Sequence, residues 1–175
     1  MACEYCEMIQ KGELVLFQDK EIAVMLHPRP ALKGHVMVVP KEHYAIMEQI
    51  PHEVIAKMMV HASRTSLVLF EQLKAQGANV LIQNGIAAGQ TIPHTVIQVL
   101  PRYGGDGISL TWDPQEASEN DLKEMEIKLK EESQHMNIQK EVVQQHPIEE
   151  RKEQPRKDQN DQEENYLIKH LRRVP

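Results

Sequence analysis

An α+β domain followed by a polar carboxyl-terminal extension is predicted from three features of the sequence. Two short apolar runs are split by a polar turn, one long stretch repeats its apolar residues at helical spacing, and two later runs with strand character precede a sharp change in composition. The chain has 175 residues, 41% of them hydrophobic, which is enough apolar material for one core and an appendage.

Residues 14–17 and 22–26 are apolar and flank Gln18-Asp19-Lys20-Glu21, the pattern of a β-hairpin. A third strand is expected over residues 35–39, closed by Pro40. Pro51 opens a helix expected over about 51–75, because Val54, Met58, His61, Ala62, Thr65, Val68, Leu69 and Leu73 share one face, and Gly77 reads as its stop. Two more strands are expected over 79–83 and 95–100, the last stopped by Pro101. The order is strand, strand, strand, helix, strand, strand.

Residues 1–112 hold 10 acidic and 9 basic side chains, whereas 113–175 hold 16 and 11, so the domain core is assigned to 1–112. Residues 113–138 are expected to form a helix that docks on the domain, since Ser118 and Asp121 have capping spacing and Leu122, Met125 and Leu129 line one face. Residues 139–164, rich in Gln, Glu, Lys and Asp with Pro147 and Pro155, cannot offset ordering entropy by burial and read as a flexible linker. Residues 165–175 are amphipathic, with Tyr166, Leu167, Ile168, Leu171 and Val174 among Lys169, Arg172 and Arg173. Such a segment is expected to bind its own dimer or a protein partner.

The net charge of -6 argues against a surface built to neutralise a nucleic acid backbone, while small anionic ligands stay open. No run approaches the roughly 20 apolar residues of a membrane span, and Glu4 and Glu7 stand where a secretory leader would carry basic residues, so a cytoplasmic protein is expected. Cys3 and Cys6 would close only a tiny loop as a disulfide, which leaves a metal or redox role as the better reading of the pair. Alone, a Cys-x-x-Cys is a weak signal that reads more readily as two ordinary terminal thiols.

Taken at a strand's two-residue period, residues 93–102 put His94, Val96 and Gln98 on one face and Thr95, Ile97 and Val99 on the other. The preceding Asn84-Gly85-Ile86-Ala87-Ala88-Gly89-Gln90-Thr91 is a glycine-containing loop whose backbone amides could approach an anion. Asn84-Gly85, Ala88-Gly89-Gln90, Pro93-His94 and Pro101-Arg102 in this order resemble the signature of the histidine-triad (HIT) family, whose active strand carries three alternating histidines. Cys3-Glu4-Tyr5-Cys6, Gly34-His35, Val38-Val39-Pro40-Lys41-Glu42-His43, Arg102-Tyr103-Gly104-Gly105-Asp106-Gly107 and Trp112 are similar to segments of small prokaryotic members. The likeness covers roughly residues 1–130. It implies a five-stranded antiparallel sheet with one long helix, dimerising side by side.

In active members the middle histidine attacks the α-phosphate of a nucleotide conjugate. The matching residue here is Val96, which has no lone pair, so the triad is degenerate (His-Thr-Val-Ile-Gln) and the classical nucleotidyl chemistry is expected to be lost. Gln98 stands for the third histidine and can hydrogen-bond phosphate without titrating. His27 stands where the family commonly has a ribose-binding aspartate. Asn84, Gly89, Gln90 and Thr91 match residues on the phosphate or leaving-group side. The resemblance also implies a structural zinc held by Cys3, Cys6, His43 and His94. His35 is expected to be structural, and His52, His61, His135, His146 and His170 have no constellation around them. Met25, Met37, Met47, Met58 and Met59 read as core filler.

The expected function is a non-catalytic, zinc-stabilised homodimer that binds a nucleotide or small phosphate ligand, or serves as an interaction module. Two rivals stand beside it. One is a residual phosphoramidate or dinucleoside polyphosphate hydrolase in which His94 or His27 activates water. The other is an adaptor working through residues 166–174.

Overall fold

The computed structural model describes residues 3–133, and the linker and amphipathic segment expected over 139–175 lie outside them. The described residues form two units, one reaching Ile108 and the other starting at Ser109.

In the first unit the elements are α1 (Glu4–Lys11), β1 (Val15–Gln18), β2 (Ile22–Leu26), β3 (Val36–Pro40), α2 (His52–Leu73), β4 (Gly77–Ile82) and β5 (Ile97–Arg102). Every strand pairing is antiparallel and the sheet order is β1-β2-β3-β5-β4. Register decides what each face buries. Val24 lies opposite Val38 and Met25 opposite Met37, while Val38 and Met37 face Ile97 and Gln98 on β5. One face therefore gathers Val24, Val36, Val38, Ile97 and Val99 beneath Met58, Ala62 and Leu69 of α2. The other gathers Ala23, Met25, Met37, Val39 and Val96 beneath Tyr5, Met8 and Ile9 of α1. Met25, Met37 and Met58 are fully buried, the core role expected for them, each contributing on the order of 1.5–3 kcal/mol by leaving water, whereas Met59, expected with them, is 47% exposed on the outer side of α2.

Helix α2 stops at Leu73 because Lys74 turns left-handed, with φ 55°, and its N–H caps the Leu69 carbonyl. Gly77, the expected stop, instead opens β4, since the Gln76 N–H is already drawn to the Arg102 carbonyl. Pro101, expected to end β5, lies inside it opposite Ala78. Its missing donor costs nothing there, because the β3 pairing ends at Val99 and the nitrogen faces no acceptor strand. The ladder also starts later than expected, at Ile97, so His94 and Val96 sit just ahead of it. Val68 and Leu73, expected to pack on the sheet, are 53% and 37% exposed and border an open groove.

Helix α1 was not legible as an element, although its signals are present: Glu4 and Glu7 in the first turn, Lys11 in the last, and Gly12 with φ 70° as the left-handed cap. At the other end of the sheet the Arg102 guanidinium is clasped by the Asp106 carboxylate, Asn79 and the Ile108 carbonyl. This holds the Asp106 carboxyl well below the usual carboxylate range and pins the turn after β5.

In the second unit, α3 (Glu119–Ser133) starts on Ser118, whose Oγ accepts the Asp121 N–H at 3.1 Å and donates to the Asp121 carboxylate at 2.7 Å. A Glu124–Lys128 pair at 2.5 Å supports its polar side. Among the described residues no helix is long and apolar enough to cross a membrane.

Candidate metal centre and phosphate pocket

Cys3 is the N-cap of α1 and Cys6 lies one turn on, so both thiols point the same way. His43 arrives from the segment after β3 and His94 from the segment before β5. The four ligand atoms lie within 4.8 Å of one another. Nδ1 of His94 is 3.4 Å from Sγ of Cys3 and 3.5 Å from Sγ of Cys6, and Nδ1 of His43 is 3.5 Å from Sγ of Cys6. Two ligands on a tetrahedral zinc, with Zn–S near 2.3 Å and Zn–N near 2.05 Å, stand about 3.6 Å apart. The three sulfur–nitrogen approaches match that spacing, and with all four ligand atoms within 4.8 Å of one another the set closes on a tetrahedral ion with a small inward adjustment.

The surrounding chemistry agrees. Nε2 of His94 donates to the Pro40 carbonyl at 2.9 Å, which fixes the tautomer and leaves Nδ1 as a lone pair toward the thiols. Burial lowers the pKa of His94, keeping the ring neutral as a ligand must be. The Cys6 thiol is pushed up to about 11, first by burial and then by Cys3 beside it. The crowded Cys6 thiol resists ionising until a cation shares its site. Tyr5 and His43 wall the cluster, each edge-on to the His94 ring at centroid distances of 6.1 Å and 5.0 Å.

Next to this cluster Val96 is 6% exposed and packs in the α1-side core, its alkyl group forming part of the floor of a small concavity. Gln98 lines the same concavity. A chain of hydrogen bonds sets its amide: the Ala31 N–H donates to Nδ1 of His35 at 3.2 Å, so Nε2 of His35 carries the proton and donates to Oε1 of Gln98 at 2.8 Å. The Gln98 amino group is left as a donor. His35, 6% exposed, is a positioning residue with a definite partner. Its pKa is lowered by burial, then by His27, against the raising effect of Gln98.

His27 stacks on His35 with centroids 4.5 Å apart and accepts the Arg29 N–H on Nδ1 at 3.0 Å. It does not line the concavity that holds Gln98. Burial and the nearby Arg29 keep it neutral.

The loop residues divide. Thr91 lines the concavity, as do Gln83 and Tyr5, which the sequence pattern did not single out. Gln90 also borders it, but its side chain is spent on the backbone: Oε1 accepts the Gly85 N–H, and Nε2 donates to the carbonyls of Ala45 and Ile92. Asn84 is likewise tied down, accepting the Met47 N–H at 3.0 Å and donating to the Glu48 carboxylate at 2.7 Å. Gly89, with φ 88°, shapes the loop, and a Cβ there would come within 2.6 Å of Nε2 of Gln83.

The concavity has a volume of about 20 Å³, room for roughly one water. Its side-chain donors include the Gln98 and Gln83 amides and the Thr91 hydroxyl, an arrangement suited to a hydrogen-bond acceptor. Tyr5, the other hydroxyl on its wall, has its pKa raised by burial and is held as a phenol.

The fold and these residues are those of a histidine-triad domain, and residues 9–105 match the HIT domain model, which covers more than half of the chain; the protein belongs to this family. An uncharacterised HIT-like protein of Methanocaldococcus jannaschii is 34% identical over 108 residues, 60% of this chain and 82% of that one. The adenosine 5'-monophosphoramidase of Candida albicans is 31% identical over 140 residues, 75% of this chain and 91% of that one. Among solved structures, a Zn-bound histidine triad family protein of Mycobacterium smegmatis superposes with a TM-score of 0.58 at 31% identity, covering 75% of this chain and 97% of that one.

Proposed function

We propose that this protein is a catalytically degenerate HIT protein, stabilised by a structural zinc on Cys3, Cys6, His43 and His94, that binds a nucleotide or small phosphate ligand, or acts as an interaction module, as a homodimer. The observation that carries the reading is Val96: a buried alkyl group stands on the pocket floor where the covalent route requires an imidazole. Zinc in such a site would cross-link α1 to the segments after β3 and before β5. A closed four-ligand ion leaves no open position for activating water.

What remains can bind without reacting. The relay from Ala31 through His35 orients the Gln98 amide toward an acceptor oxygen, and Thr91 adds a hydroxyl. His94, the retained triad histidine, has one nitrogen on the Pro40 carbonyl and the other facing the thiols, so it has none free to act as a base. For the dimer, the support is β4: it is an edge strand without proline, and its Val80 is 41% exposed.

The test uses adenosine 5'-phosphoramidate, chosen because the Candida albicans relative is named a monophosphoramidase. The expected result is no AMP release above buffer and no adenylated peptide by mass spectrometry, in zinc-loaded and chelated protein alike. Turnover in the natural sequence that disappears with His27→Ala or His94→Ala would establish the hydrolase reading instead. AMP binding is followed by ¹⁵N shifts of the Gln98 side-chain amide and of the Thr91 backbone amide, and the Thr91 shift is expected to vanish in Gln98→Leu.

A further inference from the structure

The site described so far lies on the α1 face of the sheet. On the opposite face a larger feature is left unused: a groove of about 370 Å³ between α2 and the β1–β2 hairpin. Its walls are almost wholly apolar and much of them is open, with Leu16 58%, Phe17 45% and Val68 53% exposed. Side chains of this kind are costly to leave in water and mark a surface that is covered in use. The groove runs along α2 from His61 to Leu73, about 18 Å at 1.5 Å per residue. It lies on the side of α2 that faces β1, at the opposite edge of the sheet from β4, and is therefore separate from the edge invoked for the dimer.

We infer that this groove seats residues 166–174 of the same chain. Three observations select that occupant. First, Leu167, Leu171 and Val174 recur at helical spacing with Ile168 beside them, and nine residues in a helix span about 14 Å, which fits the groove. Second, residues 149–165 carry no apolar side chain other than Pro155, so the chain presents a polar tether followed by an apolar plug. The stretch from 134 to 165 is 32 residues, with a root-mean-square reach near 30 Å, comparable with the diameter of the domain. A tethered segment of this length is present at an effective concentration on the order of millimolar, well above that of any second copy in a micromolar solution. Third, Arg64 lines the groove and enters no ion pair among the described residues, and Glu163 and Glu164 lie three and two residues ahead of the plug's first residue. Their charges set which end of the plug lies beside Arg64.

The inference is independent of the zinc and pocket readings. It is tested in the full-length chain with a photoreactive benzoylphenylalanine at the exposed position Val68. Irradiation is expected to give a product at monomer mass whose cross-linked peptide lies within 166–174. Its yield is expected to fall roughly tenfold or more in the double variant Leu167→Asp, Leu171→Asp, the effect of losing at least one buried leucine contact. Amide exchange of residues 15–18 is expected to be slower in the natural chain than in that variant. Cross-links into 166–174 found only at dimer mass, cross-links from Val68 into the sheet or α2 of a second copy, or equal yields in natural and variant chains each overturn the assignment.

Discussion

Removing one of the four candidate metal ligands is the sharpest perturbation of this protein, and Cys6→Ser is the variant to make. Cys6 takes part in two of the three close sulfur–nitrogen approaches, to His43 and to His94 at 3.5 Å each, so its loss leaves no tetrahedral set. By mass action an ion present at 100 times its dissociation constant stabilises the folded state by about 2.7 kcal/mol. For a domain of this size, at roughly 3–4 °C per kcal/mol, that corresponds to a rise of about 10 °C in Tm. The assay is elemental analysis followed by thermal unfolding with and without a chelator. Natural protein is expected to hold one zinc per chain and to lose about 10 °C on chelation, whereas Cys6→Ser retains little metal and melts at the chelated temperature in both conditions. Metal-free natural protein, purified from zinc-supplemented growth and indifferent to chelator, would refute the geometric argument.

Three further outcomes follow from the same geometry. Gly89→Ala forces a side chain into a left-handed residue and against Gln83, and is expected to cost about 1–2 kcal/mol, read from denaturant midpoints. Met58→Ala empties a fully buried site under α2 and is expected to cost about 2–5 kcal/mol by the same measurement. Because burial lowers the pKa of His35 in the folded state, the unfolded chain binds the extra proton first. Its penalty is therefore absent above pH near 6.5 and grows as pH falls below it. Unfolding curves from pH 7 to pH 5 are expected to show a shallower loss of stability in His35→Gln, and parallel slopes in the two proteins would remove the neutral-imidazole account of the relay.

The strands and the long helix were legible because alternation and helical spacing record burial on two faces, as at Val24/Met25 and at Met58, Ala62 and Leu69. Boundaries set by tertiary contacts were not. Lys74 caps α2 in a conformation usually left to glycine, and Pro101 sits harmlessly in a strand whose neighbour has already ended. The short α1 hid behind the Cys-x-x-Cys spacing, although Tyr5, Met8 and Ile9 carry a helical period. Within the site, sequence positions brought Cys3, Cys6, His43 and His94 to one point. They did not reveal that Asn84 and Gln90 spend their polar atoms on neighbouring loops, nor that His35 aims Gln98. Hydrogen-bond accounting of that kind depends on which backbone groups pass nearby, and no spacing pattern encodes it.

The two layers covering the sheet are very unequal. Helix α2 has 22 residues, whereas α1 has 8, too few to persist alone in water, and rests on three buried side chains. Without the proposed zinc the shorter layer is expected to peel away first as a sub-global opening, while the sheet stays clamped to its longer partner. Met25, Met37 and Val96 would then meet solvent together, so that loss of the proposed ion is expected to show as aggregation before global unfolding.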